Sequence, residues 1–116
     1  MQALMMNDQL TIAGALDHAA EQHGEREIVC HAGETPYRYN YAALRERVRK
    51  LVNVLRDLGI KEGDRVATLA WNSHRHLELY YAVPAMGAVI HTINVRLPSS
   101  QVAFMLRPRR GCHPFS

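Results

Sequence analysis

Apolar and polar positions along this chain change their rhythm several times, and the order of the changes is informative. Over residues 12–23, Ile12, Ala15, Leu16 and Ala19 recur at the spacing of one helix face, with Thr11 placed to cap the start and Gly24 to close the end. Residues 27–31 and 37–41 instead carry β-branched and aromatic side chains around Ala32-Gly33-Glu34-Thr35-Pro36, which predicts a short hairpin. A helical rhythm returns after Asn40, itself a predicted cap. Leu44, Val48, Leu51, Val52, Leu55 and Leu58 form one stripe ended by Gly59, while Arg45, Glu46, Arg49, Lys50 and Arg56 take the other faces. Such a helix gains most of its stability by burying its stripe, so it predicts a docking helix with a large partner surface.

The second half reads as strand, helix, strand. Lys61-Glu62-Gly63-Asp64 turns into residues 65–71, a run apolar on both faces after Arg65, as expected for a buried parallel strand. Ser73 is placed to cap a helix through Val83, and Pro84 is expected to bend or restart it near Met86. Gly87 then permits a close turn into a second strand over residues 88–93. Ser99 is placed to cap a last short helix through Leu106, which Arg107-Pro108 interrupts. The fold class expected is therefore α/β: an N-terminal helix, a short β-hairpin, an amphipathic helix and a βαβ unit.

Composition narrows the function classes. The chain has 116 residues, enough for one small domain, and its 47% apolar and 22% charged residues argue against disorder or a fibrous chain. The longest apolar-leaning run, residues 80–90, is too short for a membrane span and holds Pro84 and Gly87. Residues 1–8 lack the charged start and apolar stretch of a secretory signal, so the cytoplasm is the expected compartment. The formal charge of +3 belongs to Arg107, Arg109 and Arg110; through Leu106 acids and bases balance. That pattern predicts a disordered basic end rather than a nucleic-acid-binding face. Residues 107–116 show neither period nor apolar face and are set apart from the body, residues 1–106.

Candidate chemistry is sparse. His74 and His76 lie two apart, which on a helix points them to different faces, and no third ligand follows at metal-binding spacing. His91 reads as a packed strand histidine, Cys30 as a small core side chain, and Cys112 as a tail thiol. Two cysteines frame no disulfide scaffold. Ser73, Ser99 and Ser100 read as helix caps, since none sits in a Gly-x-Ser-x-Gly elbow. No Gly-rich phosphate loop occurs, and the only lysines, Lys50 and Lys61, fall on a helix surface and in a turn. No residue is thereby assigned a catalytic, cofactor-binding or metal-binding role.

One resemblance runs through residues 10–106. Gly63-Asp64-Arg65-Val66-Ala67 opening a strand, Asn72 just after it, Leu77-Glu78-Leu79-Tyr80-Tyr81-Ala82 on the next helix, Gly87-Ala88-Val89 and Asn94-x-Arg96-Leu97 occur in order. Upstream lie Tyr39-Asn40-Tyr41-Ala42-Ala43-Leu44 and His18-Ala19-Ala20 to Arg26. Together they resemble the N-terminal region of the AMP-forming acyl-CoA synthetases. Ala70-Trp71-Asn72 with His74-Arg75-His76-Leu77, then His91-Thr92-Ile93-Asn94, is most similar to medium- and long-chain fatty-acyl-CoA ligases. The resemblance implies a truncated N-terminal part of that family's large lobe. It also implies ATP, Mg²⁺, CoA and a fatty acid for the full-length family, acyl-adenylate forming before acyl-CoA. Family catalytic parts lie beyond the matched region, so no catalytic residue transfers and the chain alone is expected to be inactive, with self-association through exposed apolar surface. Val95 and Ser99-Ser100 depart from the family pattern, and the divergence at Arg107 leads to the expectation of a lost frame or truncation near Leu106. Two alternatives are a non-catalytic module docking on another protein and an Arg-tail nucleic-acid binder.

Overall fold

In a computed structural model, residues 9–31 and 33–107 and the backbone of 112–115 are described. Nine elements follow one another: α1 (Ile12–His23), β1 (Glu27–Cys30), β2 (Tyr37–Asn40), α2 (Tyr41–Asp57), β3 (Arg65–Thr68), α3 (His74–Ala85), β4 (Val89–Thr92), α4 (Ser99–Met105) and β5 (Cys112–Phe115). Strands β1 and β2 form an antiparallel hairpin, with Glu27 opposite Asn40 and Cys30 opposite Tyr37. A second sheet has the order β4-β3-β5, with both neighbours parallel to β3. The α/β expectation holds, with the βαβ unit spanning β3, α3 and β4.

Helices α1, α2 and α3 pack on one another, and α3 packs against β4 of the parallel sheet. The core between them is Leu16, Leu44, Val48, Leu55, Ile60, Val66, Ala82, Val83, Met86 and Ala88. Caps start α1, α2 and α3 where expected. The Thr11 hydroxyl accepts from the Gly14 N–H at 3.0 Å, and Asn40 Oδ1 accepts from the Ala43 N–H at 2.8 Å. The docking helix α2 finds its partners inside the chain, in α1 and α3.

Helices α2 and α3 end in the same motif. Ile60 N–H donates to the Leu55 carbonyl and Gly59 N–H to that of Arg56; Ala88 N–H donates to the Val83 carbonyl and Gly87 N–H to that of Pro84. These paired bonds need a left-handed residue just past the helix, and Gly59 (φ 90°) and Gly87 (φ 77°) supply it. At Gly87 a Cβ would also stand 2.8 Å from the Glu62 Cγ. Each reversal drives the next apolar residue, Ile60 or Ala88, into the core beside the helix it follows.

Several boundaries and faces differ from expectation. The buried side of α1 is Leu16 and Ala20, while Ile12 is exposed, because the contact with α2 and α3 lies further round the helix. Leu58 is 60% exposed; the Gly59 reversal hands its place to Ile60, which is 3% exposed. Pro84 does not restart α3. It sits in the last turn, its carbonyl accepts from Gly87, and the helix closes at Met86. β3 ends at Thr68 rather than continuing to Trp71.

At α4 the cap position belongs to Pro98, and Ser99 and Ser100 lie inside the helix, so neither is a cap. Beyond it, β5 falls in the segment expected to be an irregular tail. Pairing a parallel strand requires only extended backbone against the open edge of β3, and an edge strand tolerates a proline such as Pro114. The apolar alternation sought in the sequence is not needed for that. The expectations for Met1–Asp8, for Arg109 and Arg110, and for the Cys112 thiol lie outside the described residues.

Candidate functional site

Strands β3 and β4 lie side by side and run parallel. The chain leaves β3 through α3 to reach β4 on one side, and leaves β4 through α4 to reach β5 on the opposite side of β3. Ligands of open α/β sheets usually sit outside the carboxyl ends of the strands. A cleft of about 450 Å³ occupies that place. Trp71 and Asn72 line it after β3, His76 and Tyr80 from α3, and Asn94 and Arg96 after β4.

The wall of the cleft is built from β3 and the first turn of α3. Thr68, the last residue of β3, is 1% exposed, and its hydroxyl lies 3.0 Å from Nε2 of His76. Ser73 accepts from the His76 N–H at 3.3 Å, so the expected cap also fixes where that histidine stands. The ring of Tyr80 packs on the imidazole with centroids 4.7 Å apart. His76 is 5% exposed, and burial lowers its pKa, which keeps the imidazole neutral near pH 7. Its Nδ1 is buried with no hydrogen-bond partner. A proton on Nε2, donated to Thr68, leaves only a lone pair unpaired, the less costly arrangement compared with an orphaned N–H. At the rim, the Arg96 guanidinium lies 5.8 Å from the centroid of the Trp71 ring, and Arg96 N–H donates to Asn94 Oδ1 at 2.9 Å.

A second polar cluster supports α3 from behind. Glu78, 6% exposed, receives two hydrogen bonds from Arg47 of α2, the longer 3.3 Å from Nη2 to Oε2. Tyr37 stacks on His74 at 4.0 Å, which joins the hairpin to the start of α3. The Tyr39 hydroxyl is buried without a partner, and its pKa is pushed up to about 12, first by burial and then by the negative charge of Glu78.

The histidines separate as the spacing predicted: His74 faces the tyrosines and His76 faces Thr68. Half-buried His91 lies in β4 opposite Ala67, Cys30 is a half-buried free thiol in β1, and Lys50 and Lys61 are exposed. Among the described residues no three His, Cys, Asp or Glu side chains group to hold a metal ion. The cleft therefore offers a neutral imidazole, two amides, a guanidinium and an indole, which can bind and orient but supply no paired nucleophile and base. Sequence reasoning missed Thr68 and Tyr80 in this site, and the Arg47–Glu78 pair behind it. No local signal marks them, because each acts through a partner brought near by the fold.

Known proteins share this unit. The family pattern described as AMP-binding enzyme matches residues 16–109. A long-chain-fatty-acid–CoA ligase of Thermus thermophilus is 47% identical over 104 residues, covering 88% of this chain and 19% of the relative. A medium-chain-fatty-acid–CoA ligase of Ectopseudomonas oleovorans is 44% identical over 105 residues, with the same coverage of 88% and 19%. The crystal structure of the inhibitor-bound N-terminal domain of FACL13 from Mycobacterium tuberculosis superposes with a TM-score of 0.74 at 33% identity, covering 84% of this chain and 24% of that one. The chain thus spans about a fifth of the length of the curated relatives it matches. No helix of the described residues is long and apolar enough to cross a membrane. With the ordered strand–helix–strand block, its carboxyl-end cleft and a family match over residues 16–109, the chain belongs to the AMP-binding enzyme family, as part of its N-terminal region.

Proposed function

We propose that this chain is the N-terminal part of the large lobe of a fatty-acyl-CoA ligase. In the whole protein, ATP and a fatty acid give an acyl-adenylate and pyrophosphate, and the CoA thiol then displaces AMP. The observation that carries the reading is the 47% identity to a long-chain ligase, sustained over 104 residues. The described residues do not by themselves fit Mg²⁺ or the triphosphate: no carboxylate or histidine group is suited to a metal, and neither lysine reaches the cleft. Their contribution is architectural. Thr68 and Ser73 fix His76, and the Arg47–Glu78 pair fixes α3, so that the two loops at the carboxyl ends of β3 and β4 hold their positions.

Two experiments test the reading. The purified chain given ATP, Mg²⁺ and fatty acids should release no pyrophosphate above background. A chimera carrying residues 10–106 in place of the matched segment of the Thermus ligase should retain acyl-CoA formation. A folded but inactive chimera refutes the reading.

A further inference from the structure

Helices α1 and α2 hold a groove of about 320 Å³ between them, and it shares no residue with the candidate cleft. Its floor is apolar: Leu16 and Val48 are almost fully buried, and Val52 is half-buried beside them. Its α2 edge is cationic. Arg49, Asn53 and Arg56 follow at spacings of four and three, so they stand in a row on one helix face. Seven residues at the helical rise make that row about 10 Å long. Arg56 has no ion pair among the described residues. Arg49 pairs only with Glu46, at 3.0 Å, and both side chains are 61% exposed, so water competes for the pair. The acids lie at the other end of the groove, where Asp17 and Glu21 face Arg45 at 3.9 and 3.6 Å. Helix α3 contributes only the uncharged Ala85. One end is thus neutralised, and the other keeps guanidinium donors to spare.

We propose that this groove binds a single-chain amphiphile with an anionic oxyacid head. The head lies against Arg49, Asn53 and Arg56, and the apolar chain lies over Leu16, Val48 and Val52. Guanidinium forks match a carboxylate or a phosphate monoester through paired N–H donors, and the Asn53 amide adds another donor. Charge sets the direction: the head avoids Asp17, so the tail points to the Arg45 end. Size selects a small molecule, because ligand pockets begin at roughly 300 Å³, whereas a partner helix about 10–12 Å across needs a wider trough. An exposed Arg–anion contact is weak by itself, so affinity requires the head and the tail together. The groove's chemistry stands apart from the proposed ligase function and does not depend on it.

The experiment titrates the isotopically labelled 116-residue chain with decanoate, kept below its micelle concentration, and follows methyl and arginine side-chain NMR signals. Saturable shifts are expected at Leu16, Val48 and Val52 and at the Nε–H of Arg49 and Arg56. Decyl phosphate in a parallel titration compares the two heads, and saturable binding of either supports the site. Decanol and acetate, which carry the tail or the head alone, should bind about tenfold or more weakly. Arg49→Gln combined with Arg56→Gln should weaken decanoate by about tenfold or more, with unchanged far-ultraviolet circular dichroism. Lys50→Gln, exposed on the same helix but outside the groove, should leave binding unaltered. The inference is overturned by absence of saturable shifts, by shifts confined to the candidate cleft or to α4, by equal binding of decanol, or by full binding in the double variant. Association with anionic vesicles without binding of monomeric decanoate would mark a membrane-facing surface instead and would overturn it as well. An inactive chimera would refute the ligase reading and leave this result untouched.

Discussion

The Thr68 hydroxyl lies 3.0 Å from Nε2 of His76, joining the last residue of the central strand to the first turn of the helix that follows it. Both side chains are almost fully buried, so the bond forms where water cannot replace it. It fixes the angle at which α3 leaves the sheet, and with it the mouth of the cleft.

Acid should weaken the fold through His76. Its folded pKa is lowered from the usual 6.5 by burial, so above 6.5 folded and unfolded chains carry the same neutral ring. As pH falls below 6.5, the unfolded chain takes up a proton that the folded ring refuses, and stability is lost until the folded value is passed. Urea midpoints measured from pH 8 to pH 4 should fall less steeply for His76→Gln than for the parent; parallel curves would contradict the assignment.

Removing either member of the Arg47–Glu78 pair should not cost the same. Arg47 is 44% exposed in its side chain and Glu78 only 8%. Arg47→Ala leaves a buried carboxylate unpaired, at a cost of about 3–5 kcal/mol. Glu78→Ala leaves a guanidinium that can turn to water, at a cost of about 1–2 kcal/mol. Chemical denaturation of the two variants reads the order, and a larger loss for Glu78→Ala would refute it.

The end of α2 separates the sequence stripe from the true core. Leu55 is fully buried and Leu58 is 60% exposed. Leu55→Ala should destabilise by about 2–5 kcal/mol through lost burial and a cavity. Leu58→Ala should stay within about 0.5 kcal/mol of the parent. Equal thermal shifts for the two would show that Leu58 is buried after all.

Tyr39 governs the alkaline limb. Its folded pKa of about 12 stands above the ordinary 10.0, so its contribution is complete below pH 10 and drains away as pH rises from 10 toward 12. Tyr39→Phe removes a buried hydroxyl that has no partner, and at pH 7 it should change stability by less than about 1 kcal/mol. Its unfolding curves should then be flatter than the parent's over pH 10–12. A steeper alkaline loss in the variant would exclude the role.

Local chemistry was legible wherever a residue acts on its own neighbours. Thr11, Asn40 and Ser73 cap their helices because a side-chain oxygen two or three residues from an unpaired N–H needs no tertiary help. Gly59 and Gly87 end theirs because only glycine enters the left-handed region without strain. The misplaced face of α1 has a different origin: it depended on where α2 and α3 came to rest. A periodicity shows that a helix has an apolar side, but several adjacent stripes can serve, and the packing partner selects among them.

The candidate site divides along the same line. Element order, the parallel βαβ unit, the helix caps and the family likeness were determined by sequence alone, since they are carried by local propensity and by residues in a fixed order. Only tertiary structure decided that Thr68 meets His76, that Arg47 reaches Glu78 across two helices, and that a cleft opens at the carboxyl ends of β3 and β4. Those contacts join residues eight and thirty-one positions apart. Short-range interactions are specified by neighbours along the chain, whereas contacts between elements exist only once hydrophobic burial has fixed the relative positions of the elements that carry them.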